Sequence, residues 1–256
     1  MAKKPIKPQS TEVANYDEEL AAAAAQQTAV VKSQGRRRFT FPDGKLYFDG
    51  EEVENNNIDL IVIDCIYENQ FYKGRYDPDD NTSPVCYAHS RNKDDLVPSD
   101  NSAEKQSDVC ATCPNNEWES ADTGRGKACK NVMQLACIPY DSEMDIEGAE
   151  VVTMKLSVTN VKHFEDFHYT ICRDSKGKLV NNIFSVALNI STEADKKNRY
   201  KIVLSKVADI EKKDQMRVLK KLREFGDNGL VVDYQKPEEK ETKKVDKSKF
   251  SKKKAK

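Results

Sequence analysis

Four cysteines carry the most constrained chemistry in the sequence. The run Cys110-Ala111-Thr112-Cys113-Pro114 places two thiols two residues apart, Cys129 follows with fifteen residues between, and Cys86 lies upstream. A Cys-x-x-Cys turn can aim both sulfurs at one ion while its backbone N–H groups fold back toward the thiolates, the usual half-site of a structural zinc. Cys86 and Cys129, one on either side, supply the other half. Four thiolates leave no coordination position for water, so the expected Zn2+ holds structure and does not activate a nucleophile. An iron–sulfur cluster on the same four cysteines is the alternative cofactor. His89, three residues past Cys86, is an alternative to that cysteine as ligand.

The remaining thiols, Cys65, Cys137 and Cys172, sit in apolar runs and read as small buried side chains. Seven cysteines are an odd number, and the start MAKKPIKPQS lacks the apolar stretch of a signal peptide. Both features favour metal ligation over disulfides and an intracellular chain. No enzyme is expected. The glycine-lysine pair at Gly126-Lys127 is followed by Ala128, so the P-loop pattern is absent, and His163 and His168 in HFEDFH are five apart rather than four. The sequence also lacks a nucleophile elbow and the HxE…PCxxC arrangement of a zinc deaminase.

A second constellation suits a nucleic acid. Tyr67, Phe71, Tyr72 and Tyr76 interleave with Lys73 and Arg75. Exposed rings stack on bases of any identity while nearby cations neutralise phosphates, a combination that needs no sequence code. About half of such strand aromatics are expected to point inward instead. Trp118, after Asn115 and Asn116, either stacks on a base or covers the metal site. Arg125, Lys127 and Lys130 form a basic stretch around Cys129, and Arg36, Arg37 and Arg38 lie beside Phe39 and Phe41. Those three arginines either track a phosphate backbone or guard a strand edge with charge.

The wording of this region, CPNNEW and GRGKACK preceded by PVCYAHS and FYKGRYDP, resembles a family of phage-encoded single-stranded DNA-binding replication proteins with a cysteine-bound zinc. The resemblance spans residues 60 to 140 by motif and the next hundred by pattern. It implies an OB-type β-barrel, a structural zinc, and sequence-independent binding of single-stranded DNA in phage DNA replication and recombination, in the cytoplasm of a bacterial host with phage replication proteins as partners. The alternative function is a zinc-stabilised protein-interaction adaptor of the phage replication or transcription machinery.

Charge qualifies the first function. The net charge is −1, yet residues 235–256 hold ten lysines against four acids and residues 1–34 balance four against four, so the body between is acidic. A groove that is positive only locally predicts modest affinity and strong salt sensitivity. Charged residues make up 33% of the chain and mean hydropathy is −0.78, so a sizeable part lies outside any core. No apolar run reaches the roughly 18 residues of a membrane span.

These residues require a scaffold. The fold class expected is α+β, mainly β: an OB-like barrel over 35–234 with an inserted zinc loop at about 86–130, two helices, and disordered termini at 1–34 and 235–256. Residues 17–31 are alanine-rich and favour a thin-faced helix. A hairpin is expected across Arg36–Phe48, a central strand over Ile58–Tyr67, and strands over 131–140, 148–158, 182–190 and 200–207. A helix over 160–172 buries Val161, Phe164, Phe167 and Ile171. A second helix over 209–225 turns Ile210, Met216, Leu219, Leu222 and Phe225 inward and stops at Gly226. Leu230–Tyr234 reads as one further short strand. The lysine tail either adds non-specific DNA affinity or keeps the chain soluble.

Overall fold

The computed structural model describes residues 37–74, 83–122 and 126–234. The expectations for the alanine-rich segment, for Arg36, Arg75, Tyr76 and Arg125, and for the lysine tail lie outside the described residues. The architecture is mixed α+β and mainly sheet. Among the described residues the strands are β1 (Arg38–Thr40), β2 (Tyr47–Phe48), β3 (Glu51–Glu52), β4 (Asn57–Phe71), β5 (Cys86–Ser90), β6 (Lys130–Pro139), β7 (Val152–Leu156), β8 (Val186–Asp195) and β9 (Arg199–Asp209). The α-helices among the described residues are α1 (Val158–Cys172) and α2 (Lys212–Phe225). The described residues form two compact units, one from residues 37–65 with Met133–Leu230, the other from those described within Ile66–Val132 with residues 231–234.

In the first unit the strand order is β3-β2-β1-β7-β6-β4-β8-β9. The expected hairpin is present as β1 and β2, with Phe39 opposite Phe48. β4 pairs antiparallel with β8, β8 with β9 and β6 with β7, whereas β1 and β7 are parallel. Leu60, Ile61 and Val62 of β4 and Leu135 to Ile138 of β6 are fully buried. A strand covered on both faces needs a continuous apolar run, and these two have one.

The two ends of this strand order are brought together by side chains. The Phe41 ring stacks on Tyr200 at 6.4 Å, and Thr192 Oγ1 donates to the Gly44 carbonyl. Asn56 Nδ2 donates to Thr192 Oγ1 at 2.6 Å while Asn56 Oδ1 accepts the Leu46 N–H at 2.6 Å. Gly44 has φ +79°, and a Cβ there would lie 2.8 Å from that of Tyr200, so the seam requires glycine. Among the described residues no strand pairing joins β3 to β9.

Helix α1 buries Val161 and Phe164 as its spacing predicts, and adds Asn160. The Asn160 side chain accepts the Ile202 N–H of β9 at 3.0 Å and donates to Ser157 Oγ at 3.0 Å, so a polar group in the interior is satisfied. Helix α2 stops at Gly226, whose N–H donates to the Leu222 carbonyl at 3.1 Å with φ +79°. Its inward residue is Val218 and not Met216, which is 63% exposed. Leu222 and Phe225 lie four and seven positions after Val218 on the same stripe; Met216, two positions before it, faces about 200° away.

In the second unit β4 continues past Tyr67, where its apolar run ends, through the buried residues Glu68, Asn69 and Gln70 to Phe71. It pairs antiparallel with β5, setting Glu68 opposite His89, Asn69 opposite Ala88, Gln70 opposite Tyr87 and Phe71 opposite Cys86. Strand alternation divides this ribbon into two faces: Asn69, Phe71, Cys86 and Ala88 on one, Glu68, Gln70, Tyr87 and His89 on the other. Leu96 and Cys110, from the following loop, pack on Ala88 of the first face. Residues 231–234 form no strand. They are held by side-chain hydrogen bonds to the second face instead of by a backbone ladder.

Candidate metal centre and nucleic-acid interface

The four expected ligands converge within the second unit. Cys86 opens β5, opposite Phe71. The Cys110 N–H donates to the Leu96 carbonyl at 3.1 Å, and the Cys113 N–H returns to the Cys110 carbonyl at 3.4 Å, closing the tight turn. Pro114, with no N–H to satisfy, opens the next turn. Asn116 Nδ2 caps the Cys110 carbonyl at 2.8 Å, and the Cys129 N–H donates to the Asn115 carbonyl at 2.7 Å, bringing the last thiol back to the first three. All four cysteines are buried, and with Asn69 and Phe71 they line a cavity of about 10 Å3.

Burial and mutual repulsion disfavour ionisation of the clustered thiols. Burial pushes the Cys129 thiol up to about 12, and Cys110, Cys113 and Cys86 push in the same direction while Lys127 opposes them. Burial also raises Cys110, against a hydrogen bond from the Asn69 side chain that favours its thiolate. Four neutral thiols attract one another weakly, and among the described residues no group of three or more His, Cys, Asp or Glu side chains already stands in an ion-holding arrangement. A cation among the clustered thiols would reverse the penalty for ionising them. An all-sulfur set suits Zn2+ or an iron–sulfur cluster.

An asparagine network surrounds the thiols. Asn131 Nδ2 donates to Asn69 Oδ1 at 2.6 Å and to Asn116 Oδ1 at 2.9 Å, and Lys127 Nζ reaches the same Asn116 oxygen at 3.2 Å. Such partners orient ligands and tune their basicity. Asn69 and Asn131 were not legible as site residues. The available signal was the polar trio Glu68-Asn69-Gln70 between Tyr67 and Phe71, which keeps strand alternation while interrupting hydrophobicity.

His89 is not in the cysteine set. Three residues from Cys86 on a strand, it faces the other way and places Nε2 3.2 Å from Glu68 Oε1. Trp118 is not among the cavity-lining residues and is 68% exposed. Lys127 and Lys130 are adjacent, with Lys130 Nζ 3.4 Å from the Lys127 carbonyl. Lys73 is paired with Glu104 at 2.9 Å, and the half-buried Tyr72 donates its hydroxyl to Gln70 Oε1 at 3.2 Å. In the other unit, Arg37 lies over the Phe48 ring at 4.1 Å and pairs with Asp49 and Glu150, while Arg38 is exposed. Cys137 and Cys172 are buried as expected; Cys65 is half-buried. In HFEDFH, His163 is exposed and His168 lies against Phe164.

No family model, curated protein or solved structure matches this chain. Among the described residues no helix is long and apolar enough to cross a membrane.

Proposed function

We propose that this chain is a zinc-stapled, sequence-independent single-stranded DNA-binding protein of a phage replication or recombination system, built on an OB-type barrel and without catalytic activity. The observation that carries the proposal is the convergence of Cys86, Cys110, Cys113 and Cys129 on one buried cavity, in the unit whose surface also presents Trp118, Lys127 and Lys130. Zinc there would fix the turns that display these side chains. The indole offers a stacking face, worth about 1 to 3 kcal/mol per base, and the two ammonium groups offer phosphate contacts. The barrel is supported by the mainly antiparallel strand order of the first unit and by the seam between its ends, in keeping with the partly open barrel of OB folds.

The adaptor reading also has an observation in its favour. Val97, Val109 and Trp118 are exposed apolar side chains on the loop carrying the cysteines, and the cation of Lys73 is already paired. Competition between single-stranded and duplex DNA for the zinc-loaded chain separates the two. Preferential capture of the single strand supports the proposal, and no capture of either at low salt supports the adaptor. A visible absorbance band in the purified chain would assign the cysteines to an iron–sulfur cluster instead of zinc.

A further inference from the structure

The two-faced ribbon of β4 and β5 carries the cysteine cavity on one side, and on the other it is gripped by Asp233 and Tyr234. Asp233 accepts the Tyr87 hydroxyl at 2.5 Å, and its two carboxylate oxygens accept from Asn101 Nδ2 at 2.9 and 3.0 Å. Tyr234 sets its ring edge-on to Tyr87, centroids 4.9 Å apart, donates its hydroxyl to Glu68 Oε1 at 2.8 Å and accepts from Gln70 Nε2 at 2.6 Å. Glu68, Gln70 and Tyr87 lie in or next to the cavity wall in sequence. Glu68 and Gln70 flank Asn69, which bonds the Cys110 thiol, and Tyr87 follows Cys86. Asn101 lies in the segment that the Tyr87 carbonyl ties down by accepting the Ser99 N–H at 2.8 Å. The Glu68 carboxylate is fully buried, so its hydrogen bonds are expensive to lose.

We infer that residues 231–234 act as a strap that positions the cysteine site from behind, so that the site is built from two distant pieces of chain and its hold on a metal depends on Asp233 and Tyr234. The inference deepens the proposed metal role, resting on the same four cysteines as the donor set. Tyr234 is a positioning residue: it touches no thiol and works through Glu68, Gln70 and Tyr87.

The test is thiol labelling of the full chain, followed cysteine by cysteine by mass spectrometry, in metal-stripped protein and in protein loaded with zinc and challenged by a chelator. Tyr234→Phe keeps the ring and removes the hydroxyl; Asp233→Ala removes the other arm. Each is expected to speed labelling of Cys86, Cys110, Cys113 and Cys129 about tenfold or more, and zinc loss similarly, while Cys137 and Cys172 keep their wild-type rates. Equal rates at the four cysteines in wild type and both variants would overturn the inference, and so would a uniform rise at all buried cysteines, which marks general unfolding. A wild-type chain that takes up no zinc, with variants that still expose the four thiols selectively, would overturn the metal reading while leaving the strap intact.

Discussion

The N–H of Cys129 donates to the carbonyl of Asn115 at 2.7 Å, so the last cysteine is tied to the turn that directly follows Cys113. The backbone thus gathers the four cysteines around one cavity, and the proposed zinc would draw the thiols together. Cys113→Ser is expected to abolish stoichiometric zinc, whereas Cys137→Ser, fully buried in the other unit, keeps one zinc per chain. Elemental analysis of the purified variants checks both. One zinc retained in Cys113→Ser would remove that residue from the ligand set.

Trp118 is too exposed to contribute much packing. Trp118→Ala should weaken single-strand binding by about 1 to 3 kcal/mol and leave the melting temperature unchanged within a degree or so. Fluorescence titration alongside a thermal melt separates those effects. Lost stability with unchanged affinity would assign the indole to folding.

Where hydrophobic pattern and burial agree, the fold was legible. The continuous apolar run of β4, the Phe39–Phe48 hairpin and the Val161–Phe164 face of α1 are set by period and covered as that period requires. Met216 and Val218 were interchangeable by hydrophobicity, and only the direction of the α2 stripe decides between them. Tyr67 looked like the end of a strand because Glu68-Asn69-Gln70 is polar. That trio is buried because tertiary partners, Asn131, His89 and Tyr234 among them, satisfy it. The four cysteines stood out by their spacing, and they line one cavity. The strap was not, since side-chain bonds between residues more than 130 positions apart leave no local signature.

The seam in the first unit turns on Gly44. Gly44→Ala meets both the positive φ and the close approach of Tyr200, and should cost about 1 to 3 kcal/mol of stability. Urea denaturation would show it as a lower midpoint with unchanged slope. A wild-type midpoint would mean that the contact between the ends of the strand order contributes little.

Burial, followed by the nearby Arg173, lowers the pKa of His168, so the folded chain holds this imidazole neutral at a pH where the unfolded chain has protonated it. Its contribution to stability is complete above about pH 6.5 and is lost as pH falls through the lower folded value, because the unfolded state there binds more protons. Melting temperatures between pH 7.5 and 5 should decline for the wild type and decline less for His168→Phe. Parallel curves would assign the acid sensitivity elsewhere.

The most direct measurement is anisotropy of a fluorescent oligothymidine titrated with zinc-loaded protein across a salt series, with duplex DNA of equal length as control. The account predicts binding to the single strand in preference to the duplex, weakening steeply as salt rises, with the slope reduced by about 0.7 in Lys130→Ala. Absence of single-strand binding at low salt, from folded and zinc-replete protein, would contradict it and leave the cysteine unit as a staple for a protein-binding surface.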